Sequence, residues 1–281
     1  MTTTITHALA EQSEAETLYD VETSAPAATK AGLGMASIRV GGGVAVSVRD
    51  DPTGYWSKAL GFGFGEPVTA ALIDEIGDFY RSQKTPMAVL QLAPSVLPGD
   101  WAGICAKANL SAAGSWVKLA RDLSAGQGRP PAQLGADLRT GRIEAGHARE
   151  MASVMLRAFG MPEQHLSGML AAVVGRPGWR AHGIWAGTEL ASAALMRIHR
   201  NTAQCFGAAT LPHARGKGAQ SALLTARAED ARSAGCRWLI AETGVEAPGT
   251  HNSSLHNLLR NGFTVMYERQ NWIWRPVGQS P

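Results

Sequence analysis

Hydrophobic residues along this chain switch between a helical and a strand spacing, and the switches outline its elements. EPVTAALIDEIGDFYRS carries Val68, Leu72, Ile76 and Phe79 on one helical face, with Pro67 near its start. VAVSV, within MASIRVGGGVAVSVRD, is patterned as a strand and MAVLQLAP as a buried one. DWAGICAKANL predicts a helix opened by an Asp cap, and SWVKLARDL a further strand. The first half is therefore mixed α/β. Ahead of it, residues 1–30 are polar, and ETSAPAATKAG reads as a linker after a short helix, so a flexible N-terminal segment is expected there.

SAGQGRPPAQLG, rich in Gly, Pro and small polar residues, is the best domain boundary. It predicts an α/β domain over 31–123, a linker over 124–135 and a second domain over 136–281. In the second, ADLRTGRIEA is a strand leading into the helix GHAREMASVMLRAF. HGIWAG and ELASAALMRIHRN suggest antiparallel strands joined around Gly187-Thr188, and AQCFGAATLP is a strand ending at Pro212. A helix follows from about Ala219, with Ala219, Ala222, Leu223 and Ala226 at i, i+3, i+4 and i+7. CRWLIAETG is a strand. NSSLHNLLRNGF is a short helix with Asn252 as its cap, Leu255, Leu258 and Leu259 on its buried face, and Gly262 at its end. TVMYERQNWIWRP supplies the last strand, giving the order β-α-β-β-β-α-β-α-β.

Composition narrows the class. The 281 residues are 45% hydrophobic and 17% charged, enough to bury a core. A formal charge of +3 permits a phosphate-bearing ligand but falls short of a nucleic-acid-binding signature. Cys105, Cys205 and Cys236 are far apart and odd in number, which argues for a reducing compartment and against a disulfide framework. MTTTITHALAEQSEAETLYD lacks the basic and apolar regions of a secretory signal, and no window approaches eighteen apolar residues. A soluble, cytoplasmic protein with no membrane partner is expected.

The stretch LPHARGKGAQSALLTA, Leu211 to Ala226, carries the sharpest chemical signal. Glycines and two cations lead into a helix start, a join that offers free N–H groups and a positive dipole end to an anion. A nucleoside-triphosphate loop is excluded, because Gly218 follows Gly216-Lys217 and Leu211 stands where the first Gly is needed. GFGFGEP at 61–67 fails as a dinucleotide fingerprint, since Glu66 falls where a pyrophosphate would sit and the third-glycine spacing is wrong. A structural turn or bulge is expected there.

Strand, Pro, then Arg215-x-x-Gly218-x-x into a helix resembles the pyrophosphate loop of the GNAT acetyltransferase superfamily. The pattern there is Gln/Arg-x-x-Gly-x-Gly/Ala, and Gln220 takes the place of the final small residue. NSSLHNLLRNGFTVMYERQNW is similar to the same family's last helix, Gly-Phe pair and closing strand. The implied fold is α/β (α+β), a mixed, mostly antiparallel sheet flanked by helices. FGEPVTAAL, MAVLQLAP, DWAGICAKANL and WVKLARDL resemble the back half of that fold with its phosphate loop lost. This implies a tandem protein with a degenerate N-terminal repeat, the alternative being an unrelated α/β accessory domain.

The resemblance also implies a site. Arg215, Gly216, Lys217, Gly218, Ala219, Gln220 and Ser221 would hold the pyrophosphate of acetyl-CoA as acyl-donor co-substrate. Backbone groups of Ala208, Ala209 and Thr210 would pair with its pantetheine arm, with Gly207 at a bulge that splays the strand. As residues alone, Gly-Ala-Ala-Thr is equally a small-residue core strand. Asn252 resembles a CoA-contacting asparagine, and helix capping is its other reading. Glu242 sits where relatives keep a general-base glutamate, with pairing to a neighbouring cation as the alternative. Leu258 stands where many relatives carry the proton-donating Tyr, leaving Ser254 as first candidate ahead of Tyr267, His251 and His256. His251 and His256 are five apart, a spacing that does not share a helical face, so no metal is expected. Cys205 and Cys236 are expected to pack as small apolar residues, and Trp185, Trp238, Trp272 and Trp274 as core or sheet-edge residues.

The expected activity is N-acyl transfer, from acetyl-CoA to a primary amine, by direct attack in a ternary complex of a monomer or homodimer. The acceptor would be a small-molecule or peptide amine, with nucleic acid excluded. Two rivals stand beside it. Tandem transferases of similar fold use aminoacyl-tRNA, the one reading with an RNA partner, and have no need of the intact loop. A non-catalytic acyl-CoA or small-molecule binding protein would account for the missing Tyr.

Overall fold

The structure, a computed structural model, describes residues 4–124 and 133–276. Most of the expected 124–135 linker, residues 125–132, lies outside the described residues. The elements run α1 (His7–Thr23), α2 (Ala27–Leu33), β1 (Met35–Val40), β2 (Gly43–Val48), β3 (Lys58–Leu60), α3 (Ala70–Ser82), β4 (Ala88–Gln91), α4 (Trp101–Ala108) and β5 (Leu110–Asp122). They continue with β6 (Leu138–Arg142), α5 (Ala148–Phe159), α6 (Leu166–Ala171), β7 (Trp179–Ala186), β8 (Glu189–His199), β9 (Thr202–Thr210), α7 (Ala219–Ser233), β10 (Trp238–Gly244), α8 (Ser253–Arg260) and β11 (Thr264–Trp274). Two compact units divide them: Met1–Thr23, Ala27–Val117 and Tyr267–Pro281 form the first, and Ser24–Pro26 with Lys118–Met266 the second.

In the first unit the strand order is β1-β2-β3-β4-β11-β5. Gly41 and Gly42, both at positive φ, make the two-residue turn that pairs β1 with β2 from Met35↔Val48 to Val40↔Gly43. β3 runs parallel to β4, and β4 antiparallel to β11 with Ala88 opposite Trp274. Leu72, Ile73, Ile76 and Tyr80 of α3 bury against Leu90, Trp101, Ile104 and Trp274, the face that the helical spacing predicts. Thr69 caps this helix, its hydroxyl accepting from the Leu72 N–H at 3.2 Å. Asp100 opens α4 by position, but its side chain makes no capping bond.

Residues 1–30, expected as a flexible lead-in, instead carry α1 and the start of α2. α1 buries Ala10, Ala15, Leu18 and Val21 together with Glu11 and Glu14. Both acids bind Arg269, which is 1% exposed: Nη1 lies 2.6 Å from Glu11 Oε2 and 2.9 Å from Glu14 Oε2, and Nη2 is 3.0 Å from Glu14 Oε1. Removing one partner from such a buried cluster costs about 3–5 kcal/mol, because the other charge is stranded. Acidic residues made α1 look solvated in the sequence, since their partner lies more than 250 residues away.

The alternating glycines of GFGFGEP serve close packing. A Cβ at Gly61 would come 2.8 Å from Ala15 Cβ, and one at Gly63 would come 2.4 Å from Val96 Cβ. With Thr69 spending itself on the start of α3, this copy of the strand–glycine–helix join is filled by its own chain.

In the second unit the order is β5-β10-β9-β8-β7-β6. β6, β7, β8 and β9 are successively antiparallel, with Ala186 and Glu189 closing a two-residue turn over Gly187-Thr188, and β9 runs parallel to β10. α5 packs on β8 and β9, and α7 on β6 to β9. Leu138, Ile184, Ala194, Ala219 and Leu223 form the core beneath α7. α6, unforeseen because only Leu166, Met169 and Leu170 mark so short a helix, packs beside α5. Leu258 alone of the three expected leucines is buried in α8; Leu255 is half-buried and Leu259 is 41% exposed. The fold is mixed α/β with a mostly antiparallel sheet flanked by helices. Cys105, Cys205 and Cys236 are free and buried.

Candidate functional site

Two strands part in the second unit, and the sequence explains why. The ladder between β9 and β10 runs from Thr202↔Trp238 to Gln204↔Ile240, while β9 continues to Thr210 and β10 to Gly244. On its other side β9 stays paired with β8, but the register shifts between Ala194↔Ala208 and Leu195↔Phe206. Gly207 is the extra residue of that bulge. Its φ is +51°, and a Cβ there would come 2.3 Å from Met155 Cε, so only glycine suits both backbone and neighbour. Past the bulge, Ala208, Ala209 and Thr210 form the stretch of β9 that no longer pairs with β10.

The join after β9 runs through a short 3-10 turn, Pro212–Ala214, into α7. Gly216 and Gly218 have φ of +75° and +80°, and Gly218 is the N-terminal cap of α7 without any side-chain cap bond. The first N–H groups of α7 thus lack the partner that Thr69 gives α3, and the positive dipole end faces the glycine turn. A Cβ at Gly216 would meet nothing within 4 Å. Arg215 is exposed and anchored by its Nε, which donates to the Thr210 carbonyl at 3.1 Å. Lys217 Nζ lies 2.8 Å from Asp137 Oδ2, holding that carboxyl below its ordinary range. Both side chains are substantially exposed, so this pair is weak and readily exchanged for another anion.

Hydrogen bonds fix the remaining residues of the turn. Gln220 Nε2 donates to Thr210 Oγ1 at 2.7 Å; that hydroxyl lies 2.8 Å from Ser192 Oγ, which donates to the Ala209 carbonyl at 2.7 Å. The Gln220 side chain therefore turns toward the end of β9. Ala219 and Ser221 are buried, and Ser221 Oγ accepts from Asn261 Nδ2 at 3.4 Å.

Glu242 lies two residues beyond the last ladder pair, on β10. Its Oε2 accepts from Gln204 Nε2 at 2.7 Å and lies 3.5 Å from Lys118 Nζ; the Glu242 side chain is 13% exposed and the Lys118 side chain 1%. Lys118 and Gln204 escape a sequence reading. Their signal is a long polar residue set between apolar neighbours in a strand, as in Val117-Lys118-Leu119 and Ala203-Gln204-Cys205. The expected pairing of Glu242 with a cation occurs, with a lysine as the partner.

Asn252 is bound on both sides of its amide. Oδ1 accepts from the Ser254 and Leu255 N–H groups, and Nδ2 donates to the Gly244 carbonyl at 2.5 Å. Ser254 lies exposed in the first turn of α8. Tyr267 is engaged elsewhere: its hydroxyl donates to Glu11 Oε1 at 2.7 Å in the first unit, and burial pushes its pKa far up. His251 and His256 both turn to Glu246. The five-residue spacing misled because α8 begins at Ser253, so His251 precedes the helix and is free of its periodicity. Glu246 itself is held below its ordinary range, chiefly by the Asn252 N–H.

The sequence matches no protein-family model and no curated protein. Among solved structures, a GCN5-related N-acetyltransferase from Kribbella flavida is similar over 92% of this chain and 96% of its own, with a TM-score of 0.60 at 15% identity. One from Sphaerobacter thermophilus matches over 83% and 81%, at 0.59 and 13%. A tandem GNAT protein from the clavulanic acid biosynthesis pathway matches over 88% and 85%, at 0.56 and 19%. Alignments of this extent take in both units, so the resemblance noted in the loop and last helix extends to the whole chain. The fold is that of the GCN5-related N-acetyltransferases, in a tandem arrangement.

Proposed function

We propose that the second unit is an acyl-CoA-dependent N-acyltransferase that moves an acetyl group from acetyl-CoA to a small-molecule or peptide primary amine. The observation that carries this reading is the uncapped start of α7 behind Gly216 and Gly218, at the end of a strand that has parted from its neighbour. The donor's pyrophosphate would lie on the N–H groups of the turn and of Ala219, Gln220 and Ser221, with Arg215 and Lys217 supplying charge. Its pantetheine arm would take the open edge of Ala208–Thr210 as an added strand. The first unit offers no second such site on this reading, because its equivalent join is capped by Thr69 and filled by Ala15 and Val96.

Glu242 carries the proton work in this account. A carboxylate kept ionised by Lys118 and aligned by Gln204 accepts a proton from the incoming ammonium, directly or through water. The freed amine attacks the thioester carbonyl, the C–S bond breaks, and the thiolate leaves. Ser254 is the proton donor proposed for that thiolate, Tyr267 being committed to Glu11. Incubation with acetyl-CoA and a panel of primary amines, with released thiol as the readout, tests the reading. Amine-dependent thiol release supports it. Acetyl-CoA bound but never turned over would instead support the binding-protein reading.

A further inference from the structure

The connection between β10 and α8 gathers three side chains that ligate metals. One ligand atom from each of Glu246, His251 and His256 lies within 4.8 Å of the other two. His256 Nε2 is 2.9 Å and His251 Nδ1 3.7 Å from the same carboxylate oxygen, Glu246 Oε2. The two imidazoles stack, with centroids 4.5 Å apart and planes inclined by 28°. We propose that Glu246, His251 and His256 form a binding site for a borderline divalent cation of the zinc type.

Chemistry selects the class of cation. Zinc takes imidazole nitrogen and carboxylate oxygen at about 2.0–2.2 Å, and three protein ligands with one water complete its tetrahedral shell. Calcium and magnesium favour shells made of oxygen, which two imidazoles do not supply. A cation between the rings would turn two contacts on one oxygen into three ligand bonds. It would also keep both imidazoles neutral, so the stack carries no charge repulsion.

Neighbouring groups already orient the ligands. The Asn252 N–H donates to Glu246 Oε2 at 2.6 Å, fixing the carboxylate from behind in the manner of an outer-shell partner. Asn252 in turn holds the α8 N-terminus and the Gly244 carbonyl, so the arms bearing the ligands start from anchored backbone. The side chains of Glu246, His251 and His256 are 31%, 67% and 38% exposed, so a cation enters from solvent without any opening of the unit. A bound cation staples the 245–256 segment together, and it does so whether or not the acyl-CoA reading holds.

The test uses the full, tag-free chain stripped of metal by a chelator. Zinc chloride is titrated calorimetrically, and cobalt(II) is added separately for its visible absorption. The proposal predicts one zinc per chain, a zinc-dependent rise in melting temperature, and cobalt bands of four- or five-coordinate intensity. His251→Ala and His256→Ala should each weaken zinc binding by about tenfold or more, and the double variant should abolish the thermal shift. His251 precedes α8 and is the most exposed of the three, so its variant keeps the fold, as far-ultraviolet circular dichroism would verify. No zinc uptake by the unmodified chain, or uptake unchanged in the double variant, would overturn the proposal.

Discussion

Gln204, the last residue of β9 in register with β10, donates its side-chain N–H to Glu242, two residues past the last paired position of β10. The carboxylate thus marks the point where the two strands part. On the proposed mechanism Glu242→Gln leaves acetyl-CoA binding in place and lowers turnover about 10²-fold or more. Thiol-release kinetics beside a donor-binding titration separate the two effects. Unchanged turnover in this variant would remove Glu242 from the chemistry.

Gly207 and Met155 make the bulge of β9 a test of how the strand is opened. Gly207→Ala should cost about 2 kcal/mol, from the strained positive φ together with the clash at Met155 Cε. Adding Met155→Ala should relieve the clash and leave the strain, so the double variant regains stability only relative to that expected for independent changes. Urea unfolding of the four proteins in the cycle measures the coupling.

Glu22 is buried in the first unit with neither carboxylate oxygen hydrogen-bonded, and desolvation raises its pKa well above 4.5 despite the attraction of Lys58. A carboxyl whose folded pKa is raised contributes its stability at low pH and loses it as pH rises. Glu22→Gln should therefore match the wild type near pH 4.5 and exceed it at pH 8, by on the order of 1–3 kcal/mol. Melting temperatures across that range check the sign.

His182 gives the opposite dependence. Its Nε2 lies 3.1 Å from Asp230, yet burial and the charge of Arg227, with a smaller contribution from Arg142, bring its pKa down from 6.5 to about 4. Between those values the unfolded chain takes up a proton that the folded chain refuses, so stability falls as pH drops through the window. The slope approaches about 1.4 kcal/mol per pH unit. In His182→Gln that part of the loss should vanish, as unfolding curves at pH 7 and pH 5 would show.

Much of this was legible in the sequence where physics is local. The face of α3, the Gly187-Thr188 turn, the cap at Asn252 and the glycines at 216 and 218 each follow from spacing or from a backbone conformation that one residue type favours. What escaped depends on distant partners. α1 looked solvated because Arg269 neutralises its acids from the far end of the chain. Lys118 and Gln204 gave no sign of facing Glu242, and His251 was judged by a helical period that begins two residues after it.

The account rests on the start of α7 as a seat for an anionic donor, and calorimetric titration with acetyl-CoA tests it most directly. Gly218→Asp is the informative comparison, since its carboxylate would occupy the helix N-terminus and repel a phosphate there. The account predicts saturable binding of acetyl-CoA by the unmodified chain and none by the folded variant. Absence of binding by the unmodified chain, or equal binding by the two, would contradict it.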